Sequence, residues 1–304
     1  MRFLVTGGAG FIGSNIVDKL LQYGHDVACI DNESADSNEK FYWNNNAKNY
    51  PIDINDYSAI DWVFKHEEPE VVFHTAAEAR IQPTIQEPQK ACFTNFVGTC
   101  NILQACRENG SKRLVYSSTS SAYGLKNKPP LKESMAKDCL TPYSVSKTAG
   151  EELCKVFYKI YGIETIILRY FNVYGKRQPV KGHYAPVIGL FERQKREGDP
   201  MTVVGDGEQT RDFTHIKDVV NANILSAFTN NKKSFGEVFN IGTGKSYSIN
   251  EITKFFGGKT KRIEERHGEA RHTLADNTKA KKMLGWQPTK DLKKYIKNID
   301  FSGQ

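Results

Sequence analysis

The chain opens with an apolar run, RFLVTG, that ends on glycine. The residues behind it, SNIVDKLLQYG, set their apolar positions at helical spacing as far as Gly24. The alternation continues. DVACIDN predicts a strand, YSAIDWVFKHE a helix, PEVVFHTAA a strand, NFVGTCNILQACRENG a helix and RLVYSS a strand. YSVSKTAGEELCKVFYKIYG predicts a long helix and IETIILRYFN one more strand. Apolar strands separated by amphipathic helices require right-handed crossovers, and so a parallel sheet with helices on both faces. After Asn172 the pattern loosens: VYGKRQPVKGHYAP reads as loop, VIGLFERQKREG as helix, and short strands and turns follow.

The predicted class is α/β: a Rossmann-type doubly wound parallel sheet with a smaller mixed α/β substrate-binding part. Residues 1–172 with about 213–240 are expected to form the first unit, and about 173–212 with 241–304 the second, which completes a cleft over the C-terminal ends of the strands. The aromatic-rich KFYWNNN is expected to be a loop over the sheet edge. No internal repeat or low-complexity linker interrupts the chain.

Composition narrows the class. Hydrophobic residues make up 39% and charged residues 25% of 304 residues, as in an ordinary globular protein. No apolar run is long enough to span a membrane, and MRFLVTGGAGFIG runs into glycines too soon for a secretory signal. Cys29, Cys92, Cys100, Cys106, Cys139 and Cys154 form no C-x-x-C pair. They are expected to be small hydrophobes in a reducing compartment, the cytoplasm, and not metal ligands. The formal charge of +7 comes from dispersed lysines, which implies a solvated basic surface and no nucleic-acid partner.

The candidate chemistry begins at FLVTGGAGFIGSNIV. Gly7, Gly10 and Gly13 fit G-x-x-G-x-x-G, and Gly8, Gly10 and Gly13 fit G-x-G-x-x-G, after a strand and at a helix start. Such a turn lets backbone N–H groups approach a pyrophosphate. Asp31 closes the second strand, where a carboxylate can accept both ribose hydroxyls of NAD and repel the extra phosphate of NADP. The other reading of Asp31 is a loop cap. In TPYSVSKTAGEE, Tyr143 and Lys147 stand four residues apart on one helix face. A nearby ammonium and a cationic nicotinamide would favour the tyrosine phenolate, a usable base. Thr119, in SSTSSAYG at a strand end, is placed to pass a proton between a sugar hydroxyl and Tyr143.

With the Asp53–Ile54 pair, HTAAEA, YSSTSSAYG, YSVSK, LRYFNVYGKRQ, VVGDGEQTRDFTHIKDVVNA and RHGEARHTLADNTKAKKMLGW, these features make the chain resemble the extended short-chain dehydrogenase/reductase family. The likeness is to nucleotide-sugar epimerases and dehydratases, especially UDP-glucose 4-epimerase-like members. The resemblance implies tightly held NAD, a nucleotide-sugar substrate and a homodimer. It implies that Gly7, Gly10, Phe11, Ile12, Gly13, Asp31, Asn32, Asp53, Ile54, Ala76, Ala77, Tyr143 and Lys147 contact the cofactor. Thr119, Tyr143 and Lys147 would be catalytic. Ser120, Asn172, Arg211, Arg266, Glu269 and Thr273, with Thr119 and Tyr143, would contact the substrate. Many epimerases of this type carry a lysine where Ala79 stands here, with Arg80 beside it; Arg80 either faces the cleft or pairs at the surface. His74, at a strand end, is expected to pack.

The hydroxyl row separates the activities. In the dehydratase branch the catalytic threonine is followed by Asp-Glu, and a related decarboxylase has a glutamate two residues on. Here those positions are Ser120 and Ser121, and neither is an acid or base near neutral pH. The expected reaction is therefore 4-epimerisation through a transient 4-keto sugar, with UDP-glucose/UDP-galactose or UDP-GlcNAc/UDP-GalNAc as the pair. Another nucleotide-sugar-modifying enzyme, a net reductase, or a non-catalytic binding module are the alternatives. The resemblance places Thr273 beside the sugar's 2-substituent, where a tyrosine would exclude an N-acetyl group. The dimer is expected to form through the helices of NFVGTCNILQACRENG and SKTAGEELCKVFYKIYG.

Overall fold

The structure is a computed structural model, and it describes residues 1–35, 38–182, 185–265 and 270–301. Strand β1 (Arg2–Thr6) sends Phe3 and Val5 to one face of a sheet and Leu4 to the other, and all three are buried. That double burial explains the unbroken apolar run and identifies a sheet covered on both sides. Strands β2 (Asp26–Ile30), β3 (Lys48–Tyr50), β4 (Val71–His74), β5 (Arg113–Thr119) and β6 (Glu164–Tyr170) join it in parallel. The short strands β7 (Val173–Tyr174), β8 (Met201–Val204), β9 (Thr210–Asp212) and β10 (Thr214–His215) follow, and β11 (Glu237–Ile241) returns to the edge of the sheet beside β6. The completed seven-stranded order is β11-β6-β5-β4-β1-β2-β3. Small ladders pair β10 with β7, β12 (Ser246–Ser248) with β9, and β13 (Thr260–Ile263) with β8.

Helices α1 (Phe11–Gln22) and α8 (Ile216–Phe228) cover one face of the sheet, where Ile16, Leu20, Ile216 and Val219 meet Phe3 and Phe73. Helices α2 (Tyr57–Glu67), α5 (Gly98–Glu108) and α6 (Pro142–Tyr161) cover the other, where Ile60, Phe64, Ile102, Leu103 and Cys154 meet Leu4 and Leu114. A separate core joins α7 (Val187–Glu197) and α9 (Ile249–Phe256) through Ile188, Phe191, Ile252 and Phe256. Helix α6 is bounded by local chemistry. Thr141 and Ser144 form a reciprocal capping box, Pro142 occupies the first turn, and Gly162 ends the helix in the left-handed region at φ +76°.

The elements differ from expectation in several places: β7 falls inside the stretch read as loop, and helices α8 and α9 stand in the tail read as short strands and turns. Helix α1 starts at Phe11, three residues before the predicted start, because it opens directly from the glycine turn with Gly10 as its N-cap. KFYWNNN is indeed loop, but an unpredicted strand, β3, follows it; it is polar and mostly exposed, so it carries no apolar signature. The helix predicted from Asn95 is preceded by α3 (Ile81–Gln86) and α4 (Pro88–Cys92), and it enters through a π-helical turn, Phe93–Val97.

Candidate active site

Both β2 and β4 flank β1, so the chain reverses its direction of travel across the sheet at this point. A crevice opens there at the strand ends. A cavity of about 600 Å³ occupies it.

One wall is main chain. Gly7, Gly10, Phe11, Ile12 and Gly13 line the cavity. Gly7 has φ +66°, and a Cβ on Gly13 would lie 2.1 Å from the Gly7 carbonyl oxygen. Gly8 turns the other way, against the Cys29 side chain, so the working spacing is 7-10-13. The α1 N-terminus has neither a side-chain cap nor an acidic residue in its first turn. Its N–H groups are thus available to an anion. The Asp31 carboxylate stands beside this turn, accepting from Ala9 N (3.1 Å) and Glu33 N (2.8 Å). Burial pushes its pKa up, and those backbone bonds oppose the shift. Asn32 donates to Asp53 at 2.8 Å. Ile54, Ala76 and Ala77 line the main cavity, while Asp53 lines an adjoining one that Asn32 shares. A side-chain-free anion cradle with a carboxylate one strand away fits a dinucleotide without a 2′-phosphate.

The opposite wall carries the proton chemistry. Thr119 ends β5, and Tyr143 is the second residue of α6. Both line the cavity, with Ser120 and Ser121. Burial raises the Tyr143 pKa; a hydrogen bond from Thr119 and the positive charge of Arg80 oppose it. Lys147, one turn on, is itself buried, and burial lowers its pKa to about 7. Its Nζ sits 4.4 Å from the Tyr116 ring centroid. Arg80 is thus a second cation near Tyr143, beside the Lys147 that the spacing pointed to. Arg80 also lines the cavity. His74 packs, as expected. It lies between Thr6 Oγ1 (2.7 Å) and Thr99 Oγ1 (2.9 Å), and burial lowers its pKa to about 3, so the ring is neutral.

Two supporting residues escaped the sequence reading. Glu151 lies one further turn along the Tyr143–Lys147 face. It accepts from Ser118 Oγ at 2.6 Å and from Arg169 Nε and Nη2 at 2.7 Å each. Burial works against its charge, but the Arg169 contacts prevail and its pKa is lowered. Four-residue spacing from Tyr143 through Lys147 to Glu151 was the available signal. Asn95, on the π turn, accepts from Glu78 N (2.8 Å) and donates to Glu78 O (3.0 Å) and Ser146 Oγ (3.0 Å). Of the row SSTSSAYG, Ser117 and Ser118 bond within the fold, to Tyr170 and Glu151, while Thr119, Ser120 and Ser121 edge the cleft.

At the far end, Asn172, Arg211 and Thr273 come together from three segments and line the cavity. Asn172, at φ +32°, donates to the Asp212 carbonyl at 2.8 Å. Arg211 Nη1 donates to the Thr210 carbonyl at 3.1 Å. Thr273 is buried, and its Oγ1 accepts from Asp212 N at 3.3 Å. Arg266 and Glu269 lie outside the described residues.

A main-chain anion cradle and a threonine–tyrosine pair share one cavity, the arrangement of a dinucleotide-dependent enzyme. A model of the NAD dependent epimerase/dehydratase family matches residues 3–242, and the chain belongs to that family. A putative UDP-glucose 4-epimerase of Methanocaldococcus jannaschii is 39% identical over 303 residues, 97% of this chain and 96% of the relative. The crystal structure of UDP-glucose 4-epimerase from Thermotoga maritima with UDP-glucose superimposes with a TM-score of 0.92 at 36% identity, covering 98% of this chain and 96% of that one. UDP-N-acetylglucosamine 4-epimerase from Methanobrevibacter ruminantium, solved with UDP-N-acetylmuramic acid, gives a TM-score of 0.89 at 34% identity, covering 97% and 94%. Among the described residues, no helix is long and apolar enough to cross a membrane.

Proposed function

We propose that the protein is an NAD-dependent UDP-sugar 4-epimerase. The observation that carries the reading is the hydroxyl row: Thr119, Ser120 and Ser121 edge the cleft beside Tyr143 with no carboxylate among them. Glu78, which also lines the cavity, is ion-paired to Lys90 at 3.1 Å.

Gly7, Gly10, Phe11, Ile12, Gly13, Asp31, Asn32, Asp53, Ile54, Ala76 and Ala77 would hold NAD, with Lys147 and Tyr143 at its reactive end. Bound NAD supplies a reversible acceptor for the C4 hydride of the sugar. Tyr143, as phenolate, takes the proton of the 4-hydroxyl, directly or through Thr119. The same proton returns from Tyr143 when the 4-ketone is reduced. Because the wall that bears Tyr143 is fixed, inversion requires the sugar to present its other face. Ser120 and Ser121 supply neither the base for C5 nor the acid for a departing 6-hydroxyl. Asn172 and Arg211, with Arg266 and Glu269, hold the nucleotide diphosphate and ribose, a task suited to arginine's planar fork.

Thr273 leaves room beside the sugar's 2-substituent that a tyrosine ring would fill. UDP-GlcNAc and UDP-GalNAc are therefore proposed as substrates, with UDP-glucose and UDP-galactose also accepted; the likeness to the M. ruminantium enzyme supports this. Residues 1–172 with about 213–240 serve the cofactor, and about 173–212 with 241–304 the nucleotide sugar. The exposed apolar side chains Phe93, Phe96, Val145, Val156 and Ile160 on the π turn and α6 support a homodimer joined by these helices.

The test is incubation with each of the four UDP-sugars without added NAD, followed by product separation. The 4-epimer is expected in each case, and Thr273→Tyr should depress turnover of the N-acetylated pair selectively. A 4-keto-6-deoxy product, or no conversion of any sugar, would overturn the reading.

A further inference from the structure

Asp212 is fully buried and lies next to Arg211, yet its carboxylate points away from the cleft. Oδ1 accepts from Thr243 N at 2.8 Å and from Thr243 Oγ1 at 2.6 Å. Oδ2 accepts from Gly244 N at 2.9 Å and from Ala275 N at 3.1 Å. A carboxylate offers about four lone-pair sites, and all are engaged. The turn is shaped for this contact. A Cβ on Gly242 would lie 2.4 Å from Ala275 Cβ and 3.0 Å from Asp212 Oδ2, and Gly244 adopts φ +73°. Burial raises the carboxyl pKa, and the accepted bonds oppose the shift.

The main chain of the same residue faces the candidate substrate groups. Its N–H donates to Thr273 Oγ1 at 3.3 Å, and its carbonyl accepts from Asn172 Nδ2 at 2.8 Å. Arg211 precedes it on β9. Asn172, Arg211 and Thr273 thus share one reference point, and the Asp212 side chain ties that point to the 243–244 turn and to residue 275.

We propose that Asp212 is the positioning residue of the substrate end. By filling the 243–244 turn with an internal anion, it presets Arg211, Asn172 and Thr273 for a nucleoside diphosphate before substrate arrives. The inference rests on the assignment of those three residues to substrate binding.

The experiment titrates UDP into the NAD-loaded protein by calorimetry, and measures KM and kcat at a temperature where far-UV circular dichroism shows each variant folded. Asp212→Asn keeps the shape but turns an N–H₂ toward backbone donors. It should weaken UDP binding and raise KM by about tenfold or more, with a smaller change in kcat and NAD content unchanged. Thr243→Val removes one accepted hydroxyl bond, and should do the same by about threefold; it decides the matter if Asp212→Asn fails to fold. Arg211→Ala is the control on the underlying assignment. If Arg211→Ala leaves UDP affinity intact, the assignment of the substrate end fails. If Arg211→Ala weakens UDP but folded Asp212→Asn, or Thr243→Val in its place, binds UDP like the wild type, the positioning role is overturned and Asp212 is purely structural.

Discussion

At the cofactor end of the cleft the wall is main chain. Gly7, Gly10 and Gly13 come from one continuous turn, and their positions are set by how closely backbone approaches backbone. At the proposed substrate end the wall is side chains, Asn172, Arg211 and Thr273, delivered by separate segments and joined through Asp212. The first construction is local and admits almost no substitution. The second is assembled over long sequence distances and can change one side chain at a time. A fold that keeps one cofactor and varies its sugar needs this division: the shared chemistry rests on backbone, and the selectivity rests on replaceable side chains.

The comparison can be tested from the middle outward. Tyr143 stands where the two ends meet and only its phenolic oxygen is removed, so Tyr143→Phe should lower kcat by roughly 10²–10⁴-fold while NAD content and UDP affinity stay close to wild type. Single-turnover rates alongside released-nucleotide analysis would read this. Near wild-type turnover would remove Tyr143 from the mechanism. Gly13→Ala strikes the cofactor end alone. Its new Cβ would meet the Gly7 carbonyl oxygen at 2.1 Å, and that atom is backbone and cannot rotate away. A loss of roughly 1–3 kcal/mol of stability is expected, with most NAD absent from the purified protein, as thermal melts and absorbance ratios would show. Full NAD occupancy in this variant would mean that the turn is not the cradle.

The smallest expected effect separates the two cations. Arg80 opposes the burial-driven rise in the Tyr143 pKa, so Arg80→Gln should let that pKa climb. A higher pKa leaves less phenolate at a given pH, so activity on the acid side of the profile falls and its midpoint moves to higher pH. At fixed pH below the midpoint the loss should be about three- to tenfold, and Arg80→Lys should restore much of it. The measurement is kcat/KM against pH. An unmoved midpoint would return the role to Lys147.

Legibility in the sequence followed the same division. The sheet strands β1, β2, β4, β5 and β6 and the helices α2 and α6 were readable because burial on both faces or on one stripe imposes its period on consecutive residues. The glycine turn and the Tyr143–Lys147 pair were readable because their partners are within a few residues. β3 was not, because an exposed three-residue edge strand needs no apolar pattern. The π turn was not, because a single widened turn keeps helical composition. Arg80 stood undecided because a charged residue in a loop can face either way; it stands at the start of α3 and lines the cavity. The Asp212 contacts were invisible: the bonded residues lie 31, 32 and 63 positions away, and no periodicity links them. Thr273 was located only through its resemblance to a family position.

The second glycine turn has a consequence for reading motifs. After β11 the chain runs Gly242-Thr243-Gly244-Lys245-Ser246, a strand followed by glycines, lysine and serine. As a string of letters it rivals Gly7–Gly13 as a candidate anion loop. Counting hydrogen-bond valence tells them apart. The N–H groups of Thr243 and Gly244 are engaged by the Asp212 carboxylate, whereas in the first turn Asp31 takes the Ala9 N–H and the opening of α1 itself has no side-chain cap. A glycine loop is therefore a ligand site only while its donors are unspoken for. In a single sequence the deciding residue can be an aspartate some thirty positions upstream, which no window centred on the loop would contain.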